Sequence, residues 1–454
     1  MLPLSLFACN DAPPTPAEVR SAISTDLGNV LQRSSAALAG GTDALPGSAA
    51  LTMLEHLLGT PALLPVQTMA AHLVKRTGDD AAPVIDADTQ TRYLNAKLFT
   101  DANHVGDGIF QIPASLVCTR TTTDASGTSH DTVDAACVEQ VTKVDLRIRT
   151  TSEDGALVFA LQVDAAHDEP LRLTLSHTSI ALTVDLDGMQ HAFVALAAVA
   201  GSDAPNAELA GAVTAKLEAL GTAKAKISFA IDRAISIRTA AAGVDLAGPG
   251  AFSLTSPNAE VVSFTLDGAA KTGALAVALG RTEVNVPGRD GGPRTDVVLA
   301  GLALHTVFAA DQPLALTDVS LGNGTTFVAL DGVRAVSLDV NFGGRFDLTL
   351  SHDAAAGTST LAVAPRLDVQ LAIDHAVLGD DAPVYDVTQL QLEGSVRGRD
   401  DSAQLEVVTG ALAIKTNPER YGFTAAAGQC VTSSDASDPT TGAPFTQWAV
   451  GACL

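Results

Sequence analysis

The stretch VDLRIRTTSEDGALVFALQV, residues 144–163, has large apolar side chains at every second position on both sides of an Asp-Gly pair. Arg147 and Arg149 separate apolar residues in its first half. A period of two places successive side chains on opposite faces of a strand, so one face is buried and the other is wet. Asp154-Gly155 is a typical two-residue hairpin turn. The stretch therefore predicts an antiparallel β-hairpin.

The same alternation recurs along most of the remaining chain, with Asp-Gly pairs between several of the runs. Antiparallel sheets typically show this pattern because one face packs on the core. The predicted fold class is mainly β, with long antiparallel amphipathic strands in a sandwich or a curved sheet. The other apolar runs are 171–175, 180–186, 227–231, 336–342, 346–350 and 367–373, and the other Asp-Gly pairs begin at 187, 267, 290 and 331.

Two parts of the chain have helical patterns instead. Thr15-Pro16-Ala17-Glu18 is a capping box with proline at the first helical position, so a helix begins there. The segment PNAELAGAVTAKLEAL, residues 205–220, predicts one helix inserted in the β-region. Three more helices are expected near the N-terminus, over Ser48–Leu58, Leu64–Lys75 and Thr89–Phe99.

These patterns predict four regions along the chain. Residues 1–9 end a signal peptide, 10–16 form a polar, proline-rich tether, 17–100 are helical, and 101–454 are β-rich. The pentapeptide LTLSH occurs at 173–177 and at 348–352. This echo raises the hypothesis of two related halves, about 140–290 and 291–454; a chance coincidence of strand-like residues is the alternative.

Composition and charge exclude several classes of partner. The 454 residues include 27 basic and 51 acidic ones, a formal net charge of −24. Binding to nucleic acid needs clustered Lys and Arg, so no nucleic-acid partner is expected. Outside the N-terminus, no apolar stretch is long enough to predict a membrane-spanning helix.

Leu6-Phe7-Ala8-Cys9 resembles the lipobox of bacterial lipoproteins, although Phe7 replaces the usual small residue. The resemblance implies a lipid on the Cys9 thiol and a membrane partner reached through that anchor. It also implies a place in the bacterial cell envelope, at the periplasmic or surface face of the outer membrane. No Lys or Arg precedes Arg20, so we expect the signal peptide to be truncated.

The other four cysteines form two local pairs. Cys118 and Cys137 are 19 residues apart, and Cys430 and Cys453 are 23 apart. Each pair encloses a segment rich in Thr, Ser, Asp and Gly, which we expect to be a loop clipped by a disulfide. Such bonds persist in oxidising compartments. Zinc binding is the alternative, but no CxxC or close Cys/His spacing supports it.

No arrangement of residues predicts catalysis. The ten histidines are scattered, and the sequence has no HExxH, no GxSxG and no carboxylate pair at a defined spacing. No catalytic residue, cofactor or metal ligand is therefore assigned. Asp185-Leu186-Asp187-Gly188 and Asp79-Asp80 could supply oxygens to Ca²⁺, but Asp-Gly is mainly turn chemistry.

Three functions are weighed. The favoured one is a non-enzymatic extracytoplasmic lipoprotein with a structural or protein-interaction role in the bacterial envelope. The alternative is a carrier or binder of lipid or another apolar ligand, since the long one-faced apolar strands resemble the curved sheets of envelope lipid-carrier proteins. That alternative predicts an apolar cavity. The third function, that of an enzyme, is supported only by the abundance of aspartate.

Overall fold

The computed structural model confirms the predicted fold class, because the chain forms mainly antiparallel strands with a helical N-terminal segment. The described residues fall into two compact units, which divide near residue 222. We call them unit 1 and unit 2. The structure describes residues 13–30, 32–34, 95–123, 129–163, 169–200, 207–239, 250–255, 259–286, 295–309, 312–331, 334–373, 387–399, 404–439, 442 and 444–453.

Unit 1 begins with the predicted helix. Helix α1 spans Pro16–Ala22 and continues as a π-helix over Ile23–Leu27. Thr15 and Glu18 form the predicted capping box, in which each side chain bonds the backbone of the other residue. The structure is also helical at 95–97, within the predicted 89–99 helix. The predicted helices at 48–58 and 64–75 lie outside the described residues.

An antiparallel meander forms the body of unit 1. Asp154 and Gly155 both have positive φ between β5 and β6, which confirms the predicted hairpin turn. A separate two-stranded hairpin, β3–β4, follows the short helix α2, Ala114–Val117, and precedes α3, Ala135–Val141. The strands are β1 His104–Gly106, β2 Ile109–Gln111, β3 Thr119–Thr123, β4 Ser129–Val133, β5 Leu146–Glu153, β6 Ala156–Val163, β7 Leu171–Leu175, β8 Ser179–Asp185 and β9 Ala207–Ala219.

The inserted helix exists, but its predicted position was wrong. Residues 205–220 were expected to be helical, whereas Ala207–Ala219 form β9. Residues 212–218 of β9 pair with the whole of β8. Helix α4 instead spans Leu186–Ala200. Asp187-Gly188 was expected to be a hairpin turn but lies in its first turn, where Asp185 accepts a hydrogen bond from the Gly188 N–H at 3.1 Å. Pairing with β8 overrides the helix propensity of 205–220.

Unit 2 is a longer antiparallel meander. In much of it, two consecutive strands lie end to end and together act as one interrupted strand of the sheet. Strand β13 pairs with β12 and β16, while β14, its continuation, pairs with β11 and β15. The strands are β10 Lys224–Thr239, β11 Gly250–Thr255, β12 Ala259–Asp267, β13 Thr272–Leu279, β14 Arg281–Val286, β15 Thr295–Leu299, β16 Leu302–Ala309, β17 Leu314–Leu321, β18 Thr325–Asp331, β19 Arg334–Phe342, β20 Phe346–Asp353, β21 Thr358–Ile373, β22 Val387–Arg399, β23 Leu405–Asn417, β24 Phe423–Ala426, β25 Gln429–Ser437 and β26 Pro444–Ala452.

Glycines mark the break between the end-to-end strands. Gly280, Gly301, Gly322 and Gly343 stand at intervals of 21 residues, and each lies where one strand stops and the next begins. The N–H of Gly322 donates to the Gly301 carbonyl at 2.8 Å, so breaks in neighbouring strands meet. Each interval of 21 residues contains two strands and the connection between them.

Farther along the sheet, Gly394 and Gly410 face each other across β22 and β23. Both have positive φ, at 90° and 73°. A Cβ on Gly410 would lie 1.9 Å from the Glu393 carbonyl oxygen, so only glycine fits there. The strands shift register beside this pair, where β23 carries an extra residue. Glycine thus permits the close approach of two neighbouring strands.

Both predicted disulfides are confirmed, with S–S distances of 2.01 Å for Cys118–Cys137 and 2.07 Å for Cys430–Cys453. The segments they enclose were wrongly expected to be loops. The first contains the β3–β4 hairpin, and the second contains most of the long β25–β26 hairpin. Thr and Ser at these positions belong to paired strands, since both residue types are compatible with a solvated sheet face.

The β25–β26 hairpin returns to the end of β23. A single-turn 3₁₀ helix, Glu419–Tyr421, follows β23. The Tyr421 hydroxyl donates to the buried Asp438 carboxylate at 2.6 Å, and the Arg420 guanidinium lies 3.1 Å from the same oxygen. Phe423 and Trp448 pack with ring centroids 4.9 Å apart. These contacts attach the hairpin to the core of unit 2.

Replacing Gly410 by alanine should destabilise the protein by about 3 kcal/mol, since strain at positive φ and a clash with Glu393 act together. Gly428 has a similar φ but open space around it, so Gly428→Ala should cost only about 1 kcal/mol. Denaturant unfolding measures both. Equal losses in the two variants would contradict the close approach at Gly410.

Ionisation of Tyr421 should weaken unit 2 at high pH. Its hydrogen bond to Asp438, together with burial, raises the pKa of Tyr421, and Arg420 opposes the effect. A raised tyrosine pKa gives stability that is present below the ordinary value and lost as pH rises through the folded one. Tyr421→Phe should therefore lower Tm at pH 8 and lower it less at pH 11. The same Tm difference at both pH values would contradict the prediction.

Candidate functional site

An apolar pocket in unit 1 is the strongest candidate for a site. It has a volume of about 270 Å³ and is partly open to solvent. Every described residue that lines it is apolar. We call it the apolar pocket. Its lining residues are Ile23, Leu27, Leu98, Phe99, Ile148, Phe159, Leu161, Leu171, Leu173, Leu175 and Leu182.

The sheet side of the apolar pocket follows from strand register. Phe159 of β6 lies opposite Leu173 of β7, which in turn lies opposite Leu182 of β8. Side chains directly opposite in neighbouring strands share one face of a sheet. The alternate residues Leu171 and Leu175 extend this face along β7. The period of two thus builds a continuous apolar wall across three strands.

The opposite side of the pocket comes from the N-terminal helical segment. Ile23 and Leu27 are the first and last residues of the π-helix. Phe99 packs against Phe110 and Phe159, with ring centroids 5.2 Å apart in both pairs. The Arg20 side chain donates to the Phe99 carbonyl at 3.1 Å and so holds α1 against this turn. π-Helical turns occur often at functional sites.

The pocket has a closed base and an exposed rim. Ile23 and Leu175 are each 2% exposed, and Phe99 is 3% exposed. Leu182 is 40% exposed, whereas the other lining residues of the sheet are buried or half-buried. The mouth of the pocket therefore lies on the β8 side, with Leu182 at its edge.

Helix α4 covers another part of the same sheet face. Ala192 is buried in a cluster with Val163 of β6 and with Val144, which precedes β5, and Leu161 packs against this cluster. Phe159 belongs to the cluster beneath α1 and the π-helix. Because the side chains of 159, 161 and 163 lie on the same side of β6, the two helical covers lie on one face of that strand. The apolar pocket is the part of that face between them.

A side-chain hydrogen bond links the π-helix to the turn after β7. Asp26 Oδ1 and His177 Nδ1 are 3.0 Å apart, and the histidine is mostly exposed. An exposed pair of this kind contributes little to stability. Its residues neighbour the pocket-lining Leu27 and Leu175 in the chain, so it marks a polar border of the apolar pocket.

A second concavity, of about 770 Å³, is polar and lies in unit 2 where β20, β21 and β22 meet. Arg397 and Arg399 contribute its positive charge, and Asp353 also lines it. Arg397 lies 3.8 Å from Glu406. Arg397 is therefore paired with a carboxylate, and the lining of this concavity mixes both charges with small polar residues.

The residues considered in the sequence as metal ligands serve structural roles where they are described. Asp185 caps α4, and Asp187 accepts a hydrogen bond from the Gly211 N–H at 3.3 Å. Within the described ranges, no group of three or more His, Cys, Asp or Glu residues is placed to hold a metal ion. Cys9 and Asp79-Asp80 lie outside the described residues.

The two LTLSH segments occupy different surroundings. In the first, β7 ends at Leu175 and His177 pairs with Asp26 in the following turn. In the second, His352 remains inside β20 and lies 3.1 Å from the Ser359 hydroxyl. Each contributes one leucine that is almost fully buried, Leu175 and Leu350. Duplication of the β-region stays a prediction.

The pocket residues were not assigned from the sequence. The run that contains Leu171, Leu173 and Leu175 was identified as a strand, and the ligand-carrier alternative predicted an apolar cavity without placing it. The alternation in β6 to β8 was the available signal. The sequence did not show which part of the face the helices leave uncovered.

Comparisons with known proteins found no relative of this chain. No protein-family model matches the chain, and no curated protein and no solved structure matches it either. In the described part of the chain, no helix combines the length and the apolar character needed to cross a membrane.

Loss of the capping box should loosen the helical wall of the apolar pocket. Thr15→Ala removes the side-chain acceptor for the Glu18 N–H and should lower the free energy of unfolding by about 1 kcal/mol. Thr15→Ser keeps a hydroxyl at the cap and serves as the matched control. Denaturant unfolding measures both, and an unchanged Thr15→Ala variant would contradict the role of the box.

Proposed function

We propose that this protein is a non-enzymatic, extracytoplasmic binder or carrier of an apolar ligand, which it holds in the apolar pocket of unit 1. The observation that carries the proposal is the pocket itself, since each of its described lining residues is apolar while its mouth is open. Ligand sites are typically concave and mostly apolar.

The chemistry of the pocket favours binding over catalysis. Acid–base or nucleophilic catalysis needs polar groups within hydrogen-bonding distance of the reacting atoms. The described lining of the pocket supplies only aliphatic and phenyl side chains. Asp26 and His177 stand at its border, where they pair with each other. Such a lining favours an apolar ligand by removing it from water.

The proposed location rests on the cysteines. Two disulfides support an oxidising compartment outside the cytoplasm. The lipobox-like Leu6-Phe7-Ala8-Cys9 supports a lipid anchor on Cys9 and a place in the bacterial envelope, at the outer membrane. The lipid anchor would make the membrane a partner, and an acidic chain of net charge −24 supports the absence of nucleic-acid binding.

A structural or protein-interaction role in the envelope is the second candidate. It is favoured by unit 2, where a long meander is fastened by the Cys430–Cys453 disulfide and by the buried Tyr421–Asp438 contact. Such a sheet offers a broad, rigid surface to another envelope protein. Capture of an envelope protein by a ligand-free chain would favour this candidate.

Co-purification tests the first proposal. The full chain carrying Cys9→Ser is directed to the periplasm by an added secretion signal, purified without detergent and extracted with organic solvent. Mass spectrometry should find about one apolar molecule per protein. Leu182→Trp places an indole at the mouth of the pocket and should reduce the extracted ligand at least tenfold.

Leu220→Trp is the matched control, because Leu220 is 50% exposed in unit 1 and is not among the residues lining the pocket. It should retain the ligand of the parent protein. The proposal would be rejected if the parent protein, folded and with both disulfides formed, carried no apolar molecule and took up none from solution. Equal loss of ligand in the two tryptophan variants would exclude the apolar pocket as the site.

A further inference from the structure

We infer that the ligand of the apolar pocket is a single unbranched alkyl chain of about nine carbons, or the end of a longer chain, whose polar head remains outside. This inference rests on the proposed function and names the class of ligand for that site. It follows from the volume of the pocket, the row of leucines along β7 and the chemistry of the lining.

The volume of the pocket limits the amount of hydrocarbon. A methylene group is about the size of a water molecule, which occupies about 30 Å³ in the liquid. A pocket of about 270 Å³ therefore accommodates about nine methylene-sized groups. Two alkyl chains of that length would need about twice this volume.

The shape of the pocket favours one extended chain. Leu171, Leu173 and Leu175 line it along β7, and four residues of strand span about 13 Å. A linear alkyl chain that lies extended along β7 can contact all three leucines at once. A ring with the same number of carbons is more compact and reaches fewer of them.

The chemistry of the lining indicates where the polar head group of the ligand lies. No described lining residue offers a hydrogen-bond donor or acceptor from its side chain, so a buried head group would lose its bonds to water without replacement. The base is closed by Ile23, Phe99 and Leu175, each at most 3% exposed, whereas Leu182 is open to solvent. The chain therefore enters with its methyl end first and leaves its head beside Leu182.

A series of alkyl maltosides tests this assignment, because the chain length varies while the neutral head group stays the same. The protein is the full chain with Cys9→Ser, so that no lipid attached to the protein competes, and it is first stripped of ligand on a hydrophobic resin. Calorimetry below the critical micelle concentration measures Kd for chains of six to fourteen carbons. Affinity should rise about fourfold per methylene up to about nine carbons and then level off.

Cyclohexyl-terminated maltosides with the same number of carbons are the matched control for shape. They should bind at least tenfold more weakly than the linear chains, and Leu182→Trp should weaken the linear series more than Leu220→Trp does. Affinity that rises steadily to fourteen carbons, or equal binding of ring-bearing chains, would overturn the inference but leave apolar binding intact. Failure of every maltoside to bind would reject the proposed function together with the inference.

Discussion

The burial of one apolar sheet face is the constraint on which unit 1 depends. Strands β5 to β8 place aliphatic and phenyl side chains on the same side, and removing this surface from water supplies much of the driving force for folding. Two separate pieces of helix cover it. The capped N-terminal segment packs over Phe159, and α4 packs over Val163. Because neither piece reaches the whole face, a concavity remains between them, and its lining has the composition of a core.

Glycine sets a different constraint in unit 2. The end-to-end strands break at glycines spaced by 21 residues, and the Gly394–Gly410 pair allows two backbones to approach where a Cβ would collide with a carbonyl. Breaks and bulges bend a sheet and increase its local twist. Long alternating runs can therefore continue from one strand to the next without the flat, extended geometry that makes strands prone to aggregate.

The period of two predicted the fold class and located runs inside eight of the described strands, since alternation indicates a strand with one face more buried than the other. The capping box at Thr15 and both disulfides were predicted for similarly local reasons. Prediction failed where local and tertiary preferences disagree. Residues 205–220 contain good helix formers, yet β8 needs a partner, so they form β9. The true helix begins after Asp185, which caps it, and its first turn contains the Asp187-Gly188 pair that predicted a hairpin turn. The apolar pocket depends on where two distant segments stop covering a sheet, which no local pattern contains.

The absence of described polar groups in the pocket lining also limits the specificity that it can achieve. Strong discrimination between ligands comes from buried hydrogen-bonding groups, which penalise any ligand that leaves them unpaired. A hydrocarbon wall discriminates only by length, width and branching, with a modest gain for each methylene. The pocket is therefore suited to a class of chains rather than to one compound. A protein that must both take up and release an apolar chain benefits from this arrangement, because the contacts are numerous, weak and without directional bonds to break.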